Sequence, residues 1–273
     1  MTSAASTQTH PPDLLQQIQD ALEALKLPEM HKALLAALGS PTSGEDRLAW
    51  LWRLLEPQLH RRIESRFERR VRESHLPARK TLAEFDFAFQ PGLDRELVTE
   101  LATLRFANQG KNVLLAGMSG TGKSHIGMAL CLNGCSSNRR VLYTTSAGML
   151  AELNASLADG TLEQALKPYV NADLLMIDEI GLEQVERKDA CRSGLMQKVI
   201  LPRYNENRSS IITSNIEWAA WGDYLDDHLG ATALIDRLLH RSHVIVINGP
   251  SWRDHVHQQE VEASSKTKKG GQA

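Results

Sequence analysis

Cysteine is scarce in this chain. Only Cys131, Cys135 and Cys191 occur, and so odd and sparse a set excludes a disulfide framework and fits a reducing compartment. Cys131 and Cys135 fall four apart on one helical stretch with no second pair beside them, so they read as small buried hydrophobes rather than metal ligands. The ten histidines are scattered, and none forms a recognisable ligand pair. Long apolar runs are missing too: none reaches the ~18–20 residues of a membrane span, so no membrane partner is expected. The polar stretch Met1 to Pro12 lacks the basic-then-apolar order of a secretory signal, and a cytoplasmic setting is expected. No internal repeat is visible. Net charge is nearly absent, with 31 Lys and Arg against 33 Asp and Glu, but that average conceals one basic segment. What remains is 273 residues, 42% of them hydrophobic, enough for one sizeable domain and a smaller appendage.

The chain is organised around Gly117-Met118-Ser119-Gly120-Thr121-Gly122-Lys123-Ser124, which fits the phosphate-loop pattern G-x-x-x-x-G-K-[ST]. The apolar run Asn112 to Ala116 precedes it and the helix-compatible run His125 to Leu132 follows, which is the strand–loop–helix setting the motif requires. Glycine lets backbone N–H groups turn inward around phosphate oxygens. The helix that follows presents its positive end to the same anion. Lys123 is then in reach of the β- and γ-phosphates, and Ser124 offers a hydroxyl to Mg²⁺. The expected nucleotide-binding set is Gly117, Ser119, Gly120, Thr121, Gly122, Lys123, Ser124 and His125.

Before this core the chain reads as a tail, 1–12, and a helical domain, 13–80. Leu14, Ile18, Leu22 and Leu25 recur at helical spacing over Asp13 to Leu27. Pro28 ends that run, and Met30 to Leu38 forms a second helix closing at Gly39. After the Ser40 to Gly44 loop, Glu45 to Leu55 forms a third, and Pro57 is expected to start or kink the next. That next helix, about His60 to His75, carries Arg61, Arg62, Arg66, Arg69, Arg70 and Arg72 against Glu64, Glu68 and Glu73. Arg62, Arg66 and Arg69 share one face. The stripe suits a phosphate backbone. The other reading is a solvated helix laced with the i, i+4 pairs Glu68–Arg72 and Arg69–Glu73. Those pairs leave Arg61, Arg62, Arg66 and Arg70 without an acidic i+4 partner, so DNA contact by Arg61, Arg62, Arg66, Arg69 and Arg70 is the favoured reading. Leu76 to Gln90 reads as a linker. Its alternating Phe85, Phe87 and Phe89 anchor a loop on the core or, less favoured, lie beside an adenine ring.

From residue 81 to 257 helices and strands alternate. Leu93 to Asn108 is helical. Strands are expected at Arg140 to Thr145, Asp173 to Asp178, Ser209 to Ser214 and His243 to Ile247. Helices are expected at Ala147 to Leu157 with Ser146 as N-cap, at Thr161 to Val170 with Thr161 as cap, within Lys188 to Asn207 with a bend at Pro202, and at Ala231 to Leu239. Near-continuous apolar strands imply a parallel sheet covered by helices on both faces. Residues 258–273 read as a disordered tail.

Three further positions belong with the phosphate loop. Asp178 ends the buried run Leu174 to Ile177 and would hold Mg²⁺, while Glu179 beside it is placed to take a proton from an attacking water. Asn215 follows the fourth strand, at the strand end where open α/β sheets bind ligands, and could orient the same water. Arg237 and Arg253 flank the fifth strand. An arginine donated by a neighbouring subunit can stabilise transition-state charge, but taken alone each of these is favoured as an ordinary ion-pair partner.

From about Asp13 to Arg253 the chain resembles the IstB-type transposition helper ATPases of the AAA+ superfamily, close to the DnaC-type helicase loaders. The resemblance rests on the order of several blocks: Phe67-Glu68-Arg69-Arg70, Leu82 to Phe87, Gly117 to His125, Asp178-Glu179-Ile180-Gly181, Thr213-Ser214-Asn215, Trp218 with Trp221-Gly222, Asp236-Arg237-Leu238-Leu239-His240 and Ser251-Trp252-Arg253. It implies a three-layer α/β sandwich with strand order 5-1-4-3-2 behind a small all-helical domain. It implies Asn215 as a sensor, Arg237 as a finger acting on a neighbouring subunit and Arg253 as a second sensor in cis. It also implies a bacterial protein that assembles with itself on duplex DNA with ATP and assists a transposase encoded beside it. A replicative helicase loader and a nucleotide-switched DNA-binding module with little turnover are the alternatives. The chain departs from the family at Trp252, where tyrosine is usual, and in the short stretch after Arg253, where many AAA+ proteins carry a lid domain.

Overall fold

Apolar runs become strands where both faces can be covered, and that is how the second part of this chain is built. The structure, a computed structural model, describes residues 12–39, 47–181 and 192–259. The expected tails up to residue 11 and from residue 260, the Ser40 to Gly44 loop, Cys191 and the start of the expected Lys188 to Asn207 helix lie outside the described residues. The chain divides into two compact units, Met1–Glu68 and Arg69–Ala273.

The first unit is helical. Helices α1 (Pro12–Ala24), α2 (Pro28–Gly39) and α3 (Arg47–Glu73) bury Leu22, Leu34 and Leu54, with Leu27 and Met30 packed against them. Pro28 opens α2, a position where its missing N–H costs nothing. Pro57 does not divide the basic helix from the one before it, as expected. Helix α3 runs through it as a single element and crosses into the second unit. A proline inside a helix forfeits one i→i−4 bond and crowds the preceding turn, but the flanking turns on both sides remain helical.

After the end of α3 comes a 3-10 turn, Leu82–Glu84, capped by reciprocal bonds between Thr81 and Glu84. Helices α4 (Arg95–Ala102) and α5 (Arg105–Asn108) follow. They replace the single helix expected here, because Leu104 adopts a left-handed backbone with φ of 60° that ends the first. Strands and helices then alternate: β1 (Asn112–Gly117), α6 (Lys123–Ser136), β2 (Val141–Thr145), α7 (Ser146–Ala158), α8 (Leu162–Asn171), β3 (Leu174–Ile180), α9 (Arg192–Asn205), β4 (Ser209–Ser214), α10 (Trp221–Leu225), α11 (His228–His240) and β5 (Ser242–Ile247). Residues 252–259 are again helical, so 258 and 259 lie in a helix rather than a tail. Thr145, not Ser146, caps α7 by accepting from Gly148 N at 3.1 Å, while Ser146 Oγ accepts from Tyr224 OH. Thr161 occupies the N-cap of α8 without a side-chain bond, and Pro202 lies inside α9.

The five strands form one parallel sheet in the order β2-β3-β4-β1-β5, the order the resemblance implied. Leu114, Leu175, Ile177 and Ile212 face a core completed by Met149, Leu153, Met196, Val199 and Leu234 from α7, α9 and α11. On the opposite face α6 packs so closely that a Cβ on Gly127 would meet Met176 Cε at 2.5 Å. The order places β1 between β4 and β5, so the loop after β1 opens beside the carboxyl end of β4, with that of β3 one strand further along the same edge. That edge is where ligands bind in such sheets.

Candidate functional site

The loop between β1 and α6 is shaped by its glycines. Gly120 and Gly122 have φ of 81° and 99°, angles that disfavour a side chain. A Cβ at Gly122 would also meet Phe85 Cε2 at 2.5 Å. Lys123 is 4% exposed, and its ammonium donates to the carbonyls of Gly117 (2.8 Å) and Met118 (2.7 Å). Burial holds its pKa down to about 8, with Arg253 pushing the same way and Asp178 and Glu179 pushing back. Thr121 Oγ1 donates to Met118 O, which fixes the loop from within.

The acidic pair meets this loop from β3. Asp178 is 2% exposed and accepts three hydroxyls: Ser124 Oγ at 2.8 Å and Thr213 Oγ1 at 2.5 Å on Oδ1, and Tyr143 OH at 3.0 Å on Oδ2. Burial first, and then the neighbouring carboxylate of Asp178, raises the Tyr143 pKa well above its ordinary value, so this phenol stays a donor. Glu179 has a left-handed backbone with φ of 64°, a costly conformation for a side chain this size. Its N–H donates to Thr213 Oγ1 at 2.9 Å.

A cavity of about 460 Å³ collects these groups. Ser119 to His125 line it, together with Glu179 and Asn215, Phe85, Phe89 and Gln90, and Trp252 with Arg253. Phe85 lies edge-on to His125, whose Nε2 is 2.8 Å from Thr81 O. Phe89 lies edge-on to Trp252, and Trp252 N donates to Gly120 O at 2.9 Å. Phe85 and Phe89 therefore line the cavity, while Phe87 packs on Phe85 beneath Arg95.

Of the expected site residues, Ser119 to Ser124, His125, Glu179, Asn215 and Arg253 line one cavity, with Gly117 at the end of β1 and Asp178 one hydrogen bond from Ser124. Arg237 is not among its lining residues. It sits on α11, half-buried, donating to Ala233 O in its own helix. The arginines of α3 divide. Arg61 pairs with Glu29 at 2.8 Å, a partner from a different helix that i+4 counting misses. Arg70 bonds Glu73 and Asn138, and Arg69 reaches Glu73 at 3.8 Å, as expected. Arg62 and Arg66 are exposed. Sequence reasoning did not single out Tyr143 and Thr213 as site residues. The available signal was a hydroxyl-bearing side chain inside a strand, which when buried must find a partner.

A phosphate loop and a glutamate share one cavity, beside an aspartate ringed by hydroxyls. A model of the IstB-like ATP binding protein family matches residues 20–260. The chain belongs to that family. Its relatives include the ATP-binding protein of insertion sequence IS21 of Pseudomonas aeruginosa, 39% identical over 73% of this chain and 74% of the relative. Another is that of IS5376 of Geobacillus stearothermophilus, 31% identical over 87% of this chain and 94% of the relative. Among solved structures, AMPPCP-bound DnaA from Aquifex aeolicus superposes with a TM-score of 0.51 at 20% identity, over 69% of this chain and 56% of that one. This likeness concerns the fold alone. Within the IstB-like chain no helix among the described residues is long and apolar enough to cross a membrane.

Proposed function

We propose that this chain binds ATP with Mg²⁺ in the 460 Å³ cavity and hydrolyses it, and that the bound nucleotide governs its self-association and its hold on duplex DNA in support of a transposase. The observation that carries the reading is that Lys123, Ser124, Glu179 and Asn215 line a single cavity, with Asp178 held by Ser124 Oγ at 2.8 Å. Backbone N–H groups of residues 119–124 and the amino end of α6 would receive the phosphates. Phe85 and Phe89 offer the purine an apolar wall.

The residues present fit Mg²⁺. Ser124 Oγ and Asp178 Oδ1 lie 2.8 Å apart, a hydroxyl and a carboxylate of the hard-oxygen kind that ion takes beside phosphate oxygens. No cluster of three acidic, histidine or cysteine side chains suited to a metal ion occurs among the described residues, consistent with a metal that arrives with the nucleotide. Such an ion supplies charge neutralisation on the β- and γ-oxygens. Glu179 takes the proton of the attacking water and Asn215 orients that water. Arg253 reads the phosphates of its own subunit. Arg237, outside its own cavity, reaches that of a neighbour.

Arg62 and Arg66, with Arg69 beside them, are the arginines of α3 best disposed for a phosphate backbone. Such contacts position the protein without reading sequence. The insertion-sequence origin of the relatives favours a transposase over a replicative helicase as partner. Phosphate release by the purified chain, measured with Mg²⁺ and duplex DNA, tests the reading. Turnover that Glu179→Gln abolishes while nucleotide still binds is expected. A wild type that releases no phosphate, with DNA and transposase present, would leave a nucleotide-switched module instead.

A further inference from the structure

Adjacent residues of a regular strand point to opposite faces of the sheet. Asp178 and Glu179 are adjacent in β3, yet one bonds Ser124 of the phosphate loop and the other lines the cavity above that loop. The register explains how. Strand β3 pairs with β4 through Ile177↔Ile212 and resumes at Ile180↔Ser214. Two residues of β3, the acidic pair, therefore stand opposite the single residue Thr213. This is a β-bulge, a feature that re-aims side chains next to active sites. It is completed by the left-handed φ of Glu179.

The bulge removes the Glu179 N–H from the sheet ladder. Thr213 Oγ1 takes that N–H at 2.9 Å and gives its own hydrogen to Asp178 Oδ1 at 2.5 Å. A hydroxyl can accept and donate at once, and Thr213 is 1% exposed, so water does not substitute for it readily. Its Cβ is anchored in a strand buried along its whole length.

We propose that Thr213 is the positioning residue for the acidic pair: its hydroxyl holds the bulge that turns both carboxylates to the phosphate end of the cavity. This rests on the hydrolytic reading above. Asn215 lies two residues further along the same chain, and its N–H donates to Ile180 O at 2.9 Å. Thr213 and Asn215 thus bracket the bulge from β4, and the aim of the base and the place of the water-orienting amide are set by one strand.

The test is Thr213→Val, which keeps the branched shape and removes the hydroxyl. The expected result is a fall in kcat of roughly 10- to 100-fold, the scale of a misaimed catalytic group, with affinity for a fluorescent ATP analogue in Mg²⁺ within about twofold of wild type. Thr213→Ser should restore kcat to within about threefold. The Glu179 amide, followed by hydrogen exchange, should be protected in wild type and the serine variant and lose that protection in the valine variant. Should valine prevent folding, Thr213→Ala is read the same way. Wild-type kcat in the valine variant would overturn the proposal, as would parallel loss of nucleotide affinity and turnover. Glu179→Gln serves as the control. If it turns over like wild type the hydrolytic reading fails, while the amide protection still decides the role of Thr213.

Discussion

Lys123 carries a charge whose cost the cavity makes visible. Burial favours its neutral form, so with a folded pKa of about 8 against an ordinary 10.5 the folded chain binds fewer protons than the unfolded chain between those pH values. The penalty this lysine places on folding therefore shrinks as pH rises through that window. A triphosphate reverses the preference, because its negative charge favours the ammonium. Nucleotide binding at pH 9 should then draw close to one proton from solution, and at pH 6.5 almost none. Calorimetry in buffers of different ionisation enthalpy measures this directly. Lys123→Met should abolish the uptake, and equal uptake at both pH values would mean the lysine does not meet the phosphates. Such a dependence was not legible in the sequence. The motif names the lysine, but the depth of its burial and the nearness of Arg253 come from chain folded around it.

At the scale of elements, the strands were the most legible part. Val113 to Ala116, Leu174 to Ile177 and Ile211 to Thr213 are buried on both faces, and burial of that kind writes itself as a continuous apolar run. The breaks were harder. Leu104 and Glu179 take left-handed backbones that neither side chain advertises, so a split helix and a bulged strand passed unread. The Arg61–Glu29 pair joins helices 32 residues apart in sequence and lies beyond any local charge count. Arg203 belongs to the same class. It is 1% exposed, and its guanidinium donates to the carbonyls of Tyr169, Val170, Ala172 and Ser209 and to Ser210 Oγ. Burial lowers its pKa to about 9. It binds the end of α8 to the start of β4 through carbonyl and hydroxyl oxygens. Arg203→Met would strand several buried carbonyls and should cost about 3 kcal/mol or more of stability. Arg203→Lys, with three donors on a point charge, should recover only part of it. Denaturant unfolding reads both, and a methionine variant as stable as wild type would show that the cage is dispensable.

At the scale of the whole molecule, Arg237 is the residue for which we propose a role in an assembly. It is absent from its own cavity, at the end of a helix that leads into the edge strand β5. Arg237→Ala should leave nucleotide affinity within about twofold of wild type while turnover falls by at least about 10³, the scale of a lost arginine finger. Light scattering should show self-association in ATP falling with it. Normal turnover in this variant would remove the residue from the mechanism. The account as a whole holds that what occupies the cavity decides how firmly the protein grips duplex DNA. The most direct measurement is the affinity for a labelled duplex at fixed salt, with a slowly hydrolysed ATP analogue and Mg²⁺, with ADP and with neither, for wild type and Lys123→Ala. The account predicts binding at least about tenfold tighter with the analogue in wild type, within the usual range of coupling between sites, and no nucleotide dependence in the lysine variant. Equal affinity in all three wild-type conditions would contradict it.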